Sequence, residues 1–242
     1  MKKYILILIL LPLFAKSQSI QQSVYLAPNS SYYSSSNTEA YPNGGMKPIN
    51  YWNFGTAVGY KIEYYLPKIF SLGTSVEYLL TRAELYTHGL GPYTADRTVA
   101  IRNLIATNNI DIPLYLKIRT NSKENRFTYI RGGIGLSWMF NAHRKVEEET
   151  NFDMHYFKNP IRKKIADESF VLKNENNTQF GTFFQIGIGH SFQLKKINLS
   201  AELSYRQDLN YWIYKTLDTP ILGIQEFPIK RHSISLNLGS SF

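Results

Sequence analysis

The sequence predicts an all-β protein: an eight-stranded antiparallel up-and-down transmembrane β-barrel with long extracellular loops and short periplasmic turns. Three observations predict it. Segments along the chain alternate apolar and polar residues with the period of two that strand side chains impose. The connections between those segments alternate long and short, as in a barrel with tight turns on one side of a membrane. The chain begins with an export leader and ends on a bare aromatic, Phe242, directly after an alternating strand.

Composition sets the bounds. The 242 residues are 43% hydrophobic and 19% charged, which fits neither a disordered chain nor a helical membrane protein. Aromatics reach 14%, with 18 Tyr and 14 Phe. The absence of Cys removes disulfide frameworks, thiol catalysis and Cys-ligated zinc. Residues 1–17 read as a signal peptide: Lys2 and Lys3, an apolar run over 4–14, then Ala15-Lys16-Ser17 with small residues before Gln18. That run is too short to span a bilayer, which takes about 20 apolar residues as a helix. Residues 18–242 form the barrel domain. The formal charge is +9; without the three leader lysines, 27 basic residues become 24 against 18 acidic, a net +6. No basic run interleaved with aromatics accompanies that charge, so no nucleic-acid partner is expected.

The strands follow in order. Residues 20–27 are read as the first strand and 28–53, rich in Ser, Asn, Tyr, Gly and Pro, as a long loop. Residues 54–66 (FGTAVGYKIEYYL) place Phe54, Val58, Tyr60, Ile62, Tyr64 and Leu66 opposite Gly55, Gly59, Lys61 and Glu63. A turn at Pro67-Lys68 leads into 71–82, where Leu72, Val76, Tyr78 and Leu80 oppose Gly73, Ser75 and Glu77. Residues 83–108 are a second long connection. Residues 109–119 (NIDIPLYLKIR) set Ile110, Ile112, Leu114, Leu116 and Ile118 against Asp111, Lys117 and Arg119. After a polar turn, 126–140 sets Ile130, Ile134, Leu136, Trp138 and Phe140 against Arg131, Gly133 and Gly135.

Residues 141–178 are the longest connection, with seven basic and seven acidic residues, and 142–150 fits a short helix within it. Its two readings are a solvated cap and a partner-docking element, since long loops on a rigid scaffold are where binding usually resides. Strands over 179–194 and 197–210 are joined at Lys195-Lys196, residues 211–228 form a loop, and 229–242 closes the chain. The seven later strands meet the roughly 9–11 residues a tilted membrane strand requires. In that closing strand His232, Ile234, Leu236, Leu238 and Phe242 lie opposite Arg231, Ser233, Ser235, Asn237 and Gly239.

Two features of the faces carry physical content. The polar faces hold Lys61, Lys117, Arg119, Arg131, Arg206 and Arg231 against Glu63, Glu77, Asp111, Glu202 and Asp208, with glycines between them. An eight-stranded barrel is just wide enough inside for side chains to fill. These groups are therefore expected to form an ionic network, long charged side chains interdigitating with glycines, that plugs the lumen. Aromatics sort to the rims. Trp52, Trp138 and Trp212, with Tyr51 and Tyr211, fall at the outer edge; Tyr64, Phe70, Phe127, Phe192 and Phe242 fall at the periplasmic edge. Amphipathic rings favour the headgroup level, so two girdles are expected.

The segments FGTAVGYKIEYYL, NIDIPLYLKIR, TYIRGGIGLSW and SISLNLGSSF resemble the PorT-like outer-membrane β-barrel proteins of Bacteroidota-type bacteria. The resemblance covers nearly the whole mature chain and rests on strand signatures. It implies a small eight-stranded barrel in the bacterial outer membrane. It also implies that Phe242 is the signal read by the barrel-assembly machinery, and it offers a tie to a protein-secretion apparatus.

No catalytic residue, cofactor or metal site is expected. The five histidines (His88, His143, His155, His190 and His232) form no H-E-x-x-H motif. Ser169, Asp153 and Asp167 lie near the loop histidines in sequence, but a triad is a matter of geometry. The expected function is a non-enzymatic outer-membrane barrel with a filled lumen, presenting loops for envelope assembly, secretion or surface contacts. Its expected partners are outer-membrane lipid, the barrel-assembly machinery and a secretion or envelope protein complex. The alternative is an outer-membrane enzyme acting on lipid or peptide through loop residues.

Overall fold

The computed structural model describes residues 20–35, 49–66, 69–90, 98–120, 126–151, 161–174, 176–194, 197–215 and 226–241. The leader and Phe242 lie outside them. Among the described residues twelve strands form one antiparallel sheet. Eight are the barrel wall: β1 (Ile20–Ser35), β3 (Asn53–Tyr65), β4 (Phe70–Leu90), β5 (Thr98–Arg119), β6 (Arg126–Asn151), β9 (Phe180–Leu194), β10 (Ile197–Asp208) and β12 (Glu226–Ser241). Each pairs with its neighbour, and β1 pairs with β12 from Ser23↔Ser241 to Ser35↔Ile229, which closes the barrel. Closure leaves no sheet edge in the hydrocarbon layer, the condition for strands to cross lipid.

The outer wall is apolar through the membrane band. Leu26, Val58, Val76, Leu114, Ile134, Ile188, Leu203 and Leu238 are all exposed, and Phe54 is 82% exposed. A contiguous apolar surface of this extent marks a membrane-facing wall. The inward positions between these residues are buried and mostly polar.

Beyond the membrane band the wall continues upward, unevenly. β4, β5 and β6 run 21, 22 and 26 residues. Four short strands add to them: β2 (Ile49–Tyr51) on β4, β7 (Ile161–Phe170) on β6, and β8 (Lys173–Asn174) on β11 (Trp212–Lys215), which pairs with β12. This revises several connections. Residues 142–150 are strand, not helix, because they pair with β5 on one side and β7 on the other. The stretches read as loops over 28–35, 83–90 and 98–108 are barrel strand. The first strand continues through Pro28 because its flanks pair on both sides.

Prolines leave a signature in the ladders. The β1–β12 register omits Ala27 and Pro28, although both pair with β3. The β4–β5 register omits Ile112 and Pro113, although both pair with β6. A proline has no N–H to give, so each interrupts one ladder while its strand is held by the other. A bulge at Asn108/Asn109 makes Phe140 the extra residue of β6, so that Met139 and Ala142 both turn inward.

Candidate functional site: the sealed lumen and the extracellular sheet

The lumen is layered. At the periplasmic end the Arg119 guanidinium lies 4.3 Å over the Tyr65 ring. Above it Glu63 accepts from Lys117 Nζ at 2.6 Å and from Tyr115 Oη at 3.1 Å, with Lys61 Nζ at 3.9 Å. Next, Arg131 pairs with Glu202 at 2.6 Å and stacks on Tyr115, and Asn237 donates to the same carboxylate at 3.0 Å. Then Arg206 pairs with Asp111 and, at 3.2 Å, with Asp208, while Arg231 reaches Asp208 at 3.1 Å. Glu77 accepts from Ser75 at 2.9 Å. All eleven of the charged residues marked from the sequence point inward. Buried charges persist only when paired; Lys61–Glu63 and Arg206–Asp208 pair along one strand, whereas Lys117–Glu63, Arg131–Glu202 and Arg206–Asp111 join strands that are not ladder neighbours.

The glycines play a different part from the one their spacing suggested. A Cβ on Gly59 would fall 2.3 Å from the Tyr25 ring, on Gly73 2.4 Å from Tyr115, on Gly135 2.4 Å from Phe183 and on Gly189 2.4 Å from Tyr129. Inward aromatics lie over bare backbone; among the described glycines only Gly187 has a charged side chain among its nearest neighbours, Glu202 at 3.0 Å. The lumen is filled by rings as much as by ion pairs.

Trp212 corrects the aromatic girdle. Its ring is fully buried, and its Nε1 donates to Asp208 Oδ2 at 2.8 Å. The strand β11 folds inward above the short β10, and a buried carboxylate gives the indole N–H its partner. With Tyr33, Ile105, Met139, Ala142, Leu172 and Ile229 it builds an apolar plug across the outer mouth. Trp52 and Trp138 stay exposed on the outer wall, where Trp52 packs on Tyr32 at 4.4 Å and Trp138 on Phe140 at 5.7 Å. At the turn end Tyr64 and Phe70 are exposed and Phe192 is partly so. Phe127, by contrast, shares the inward face of β6 with Tyr129 and lies 5.6 Å from the Arg119 guanidinium and 5.7 Å from Lys117 Nζ, so it lines the end of the lumen and not the girdle on the outer wall. His232 lies on the outer wall, stacked on Tyr32 at 4.7 Å, between Tyr205 Oη at 2.8 Å and Ser34 Oγ at 2.9 Å. His190 contacts Thr128 at 3.2 Å.

Above the membrane band the outward face carries charge. Arg102 bridges Glu84 and Glu147, and Lys145 reaches Glu147 at 2.6 Å. The Lys145 hydrogen bond, then that of Arg102, holds the Glu147 carboxyl below its ordinary range. On β7, Lys164 pairs with Asp167 and lowers its carboxyl in the same way, with His143 adding to the effect. His143 also lies 3.3 Å from Ser169 Oγ through Nδ1 and 2.6 Å from Asp167 Oδ1 through Nε2. Sequence reasoning named all three residues without linking them; the link is the β6–β7 pairing, which places Ser169 directly opposite His143. His155 lies outside the described residues. Among the described residues no cluster of His, Asp or Glu is arranged to hold a metal ion.

The chain is similar to several solved outer-membrane proteins. OprG of Pseudomonas aeruginosa is 12% identical with a TM-score of 0.49, over 93% of this chain and 97% of that one. Ail of Yersinia pestis, solved with the heparin analogue sucrose octasulfate, is 13% identical with a TM-score of 0.38, over 93% and 100%. AlkL, determined in DMPC lipid bilayers, is 15% identical with a TM-score of 0.39, over 94% of each chain. No curated protein sequence matches the chain. The family described as outer membrane protein beta-barrel domain matches residues 15–211, and this chain belongs to it.

Proposed function

We propose that the protein is a non-enzymatic barrel of the bacterial outer membrane with a closed lumen, whose work is done by the extracellular sheet. One observation carries this: three ionic layers and an apolar plug fill the lumen from the Arg119 layer to Trp212. An eight-stranded barrel is just wide enough inside for side chains to fill, whereas water-filled porins use about 16–18 strands. The elements left to meet other molecules are β5, β6 and β7 above the aromatic belt. They present both signs of charge and offer an edge at β7, which pairs with β6 alone among the described residues.

The PorT-like resemblance narrows the reading to envelope assembly or protein secretion, with a secretion or envelope complex docking on that sheet. Export would remove residues 1–17, and Phe242 would be the signal for the barrel-assembly machinery.

The chain has no Cys, so a single Lys163→Cys variant gives a clean probe. Labelling on intact cells by a membrane-impermeant maleimide supports the outward display of β7; labelling only after lysis refutes it. A photo-crosslinker at the same position should then capture a discrete envelope protein.

The enzyme alternative has one specific observation in its favour, the contacts of His143 with Ser169 and Asp167. Continuous turnover of a lipid ester or peptide by the purified barrel would favour it.

A further inference from the structure

We propose that Ser169 is a base-activated nucleophile, an acceptor for the acyl group of a membrane-lipid ester, on the outer wall of the β6–β7 hairpin. This adds a reactive site to the display role and does not depend on it.

A carboxylate only accepts hydrogen bonds, so the His143 Nε2 facing Asp167 Oδ1 at 2.6 Å carries the proton. In the neutral imidazole Nδ1 is then the acceptor, and it faces Ser169 Oγ at 3.3 Å. The tautomer that Asp167 selects is therefore the one able to take the hydroxyl proton. The three side chains share one face: Ser169 is the cross-strand partner of His143, and Asp167 is two residues along β7. All three are exposed, so an incoming ester can reach the hydroxyl.

Their height fits the substrate. His143 lies three residues beyond Phe140, which packs on Trp138 in the aromatic belt. Three strand residues rise about 10 Å, which sets the site near the headgroups, above the belt that marks the membrane interface.

In the step, Ser169 Oγ attacks the ester carbonyl carbon and its proton passes to His143 Nδ1. The carbonyl π pair moves to oxygen. Collapse re-forms the carbonyl and breaks the bond to the alcohol, which leaves with the proton from Nδ1. The products are acyl-Ser169 and the free alcohol. Amides that point the same way from one strand edge are two residues, about 7 Å, apart, too far to converge on one oxygen as in an oxyanion hole. The site is thus suited to capture an acyl group once more than to turn over.

The charged groups around His143 are Asp167 and Lys164 on β7, Lys145 and Glu147 on β6, and Arg102 on β5, whose Ala106 lies directly beside it.

The test uses the full barrel folded in detergent and treated with p-nitrophenyl octanoate. The expected result is a nitrophenolate burst of about one equivalent, as for acyl-enzyme accumulation, and one octanoyl adduct on the peptide holding Ser169. S169A should abolish the adduct. H143A should slow it about 100-fold, the lower range of a general-base contribution. D167N should slow it less. Both histidine and serine variants should keep the heat-modifiable folded band. An absent adduct, an adduct spread over several residues, or an H143A rate equal to the parent's would overturn the proposal. Sustained turnover would support the nucleophile while refuting the non-enzymatic reading. The maleimide test at Lys163 is independent of all these outcomes.

Discussion

Gly189 and Gly132 show how one residue type carries opposite consequences on the two faces of a wall. A methyl on Gly189 would meet the Tyr129 ring at 2.4 Å and the Ala201 carbonyl at 2.9 Å, with no space to yield. Gly189→Ala should destabilise the barrel by about 1–3 kcal/mol, the usual penalty of overpacking. On the outward face Gly132 meets nothing within 4 Å. Gly132→Ala should stabilise by about 0.4–1 kcal/mol through the unfolded chain. Reversible urea unfolding in lipid vesicles reads both, and equal effects would refute the packing of rings on glycine. The buried pair Arg131–Glu202 makes a third case. Arg131→Met leaves a buried carboxylate without its ion-pair partner, and it should destabilise by about 3–5 kcal/mol. Adding Glu202→Leu should restore most of that loss, because two apolar groups carry no unpaired charge.

At the scale of elements, the upper β5–β6–β7 sheet is held by ion pairs that depend on ionised carboxylates. Glu147 and Asp167 have carboxyls below their ordinary range, set first by Lys145 and by Lys164 respectively. A lowered folded value means stability that is present above the unfolded carboxyl range and lost as pH falls through the folded value. Acid should therefore loosen the upper hairpin before the membrane band. Amide exchange, corrected for its intrinsic pH dependence, should lose protection in 142–150 and 161–170 below about pH 4.5, near the unfolded carboxyl range, while 130–137 stays protected. Simultaneous loss in both regions would contradict an independent upper sheet. β7 also shows how an edge is kept safe, since Lys163 and Lys164 put charge along it.

For the whole molecule, the filled lumen predicts impermeability. The plug over the outer mouth and the ionic layers beneath it should leave the barrel silent in planar bilayers at neutral pH. Steady ohmic conductance from heat-modifiable protein would show that the Asp208–Arg231 layer or the Trp212 plug opens. Closure also explains why stability is spread over distant partners. Glu63 and Lys117 are 54 residues apart, and Ser137 and Arg231 are 94 apart.

Within the membrane band the sequence by itself determined the faces of each strand. The ionic layers were legible there too: Lys61, Glu63, Asp111, Arg131, Glu202 and Arg231 all sit where alternation put them. The reason is the contrast of environments, lipid on one face and a polar lumen on the other, which writes a period of two into every crossing strand. Above that band the contrast fades. Both faces of the upper strands meet water, charge or the plug, so residues 28–35, 83–90 and 142–150 carry no clean alternation and read as loop or helix. The tertiary structure alone decided three further matters. It turned Trp212 inward to Asp208, because indole and carboxylate meet only when β11 folds over the short β10. It laid aromatic rings on glycines, because the cross-strand register fixes which residue lies opposite which. And it joined His143 to Ser169 and Asp167, because pairing across a hairpin 26 residues wide is invisible to local pattern.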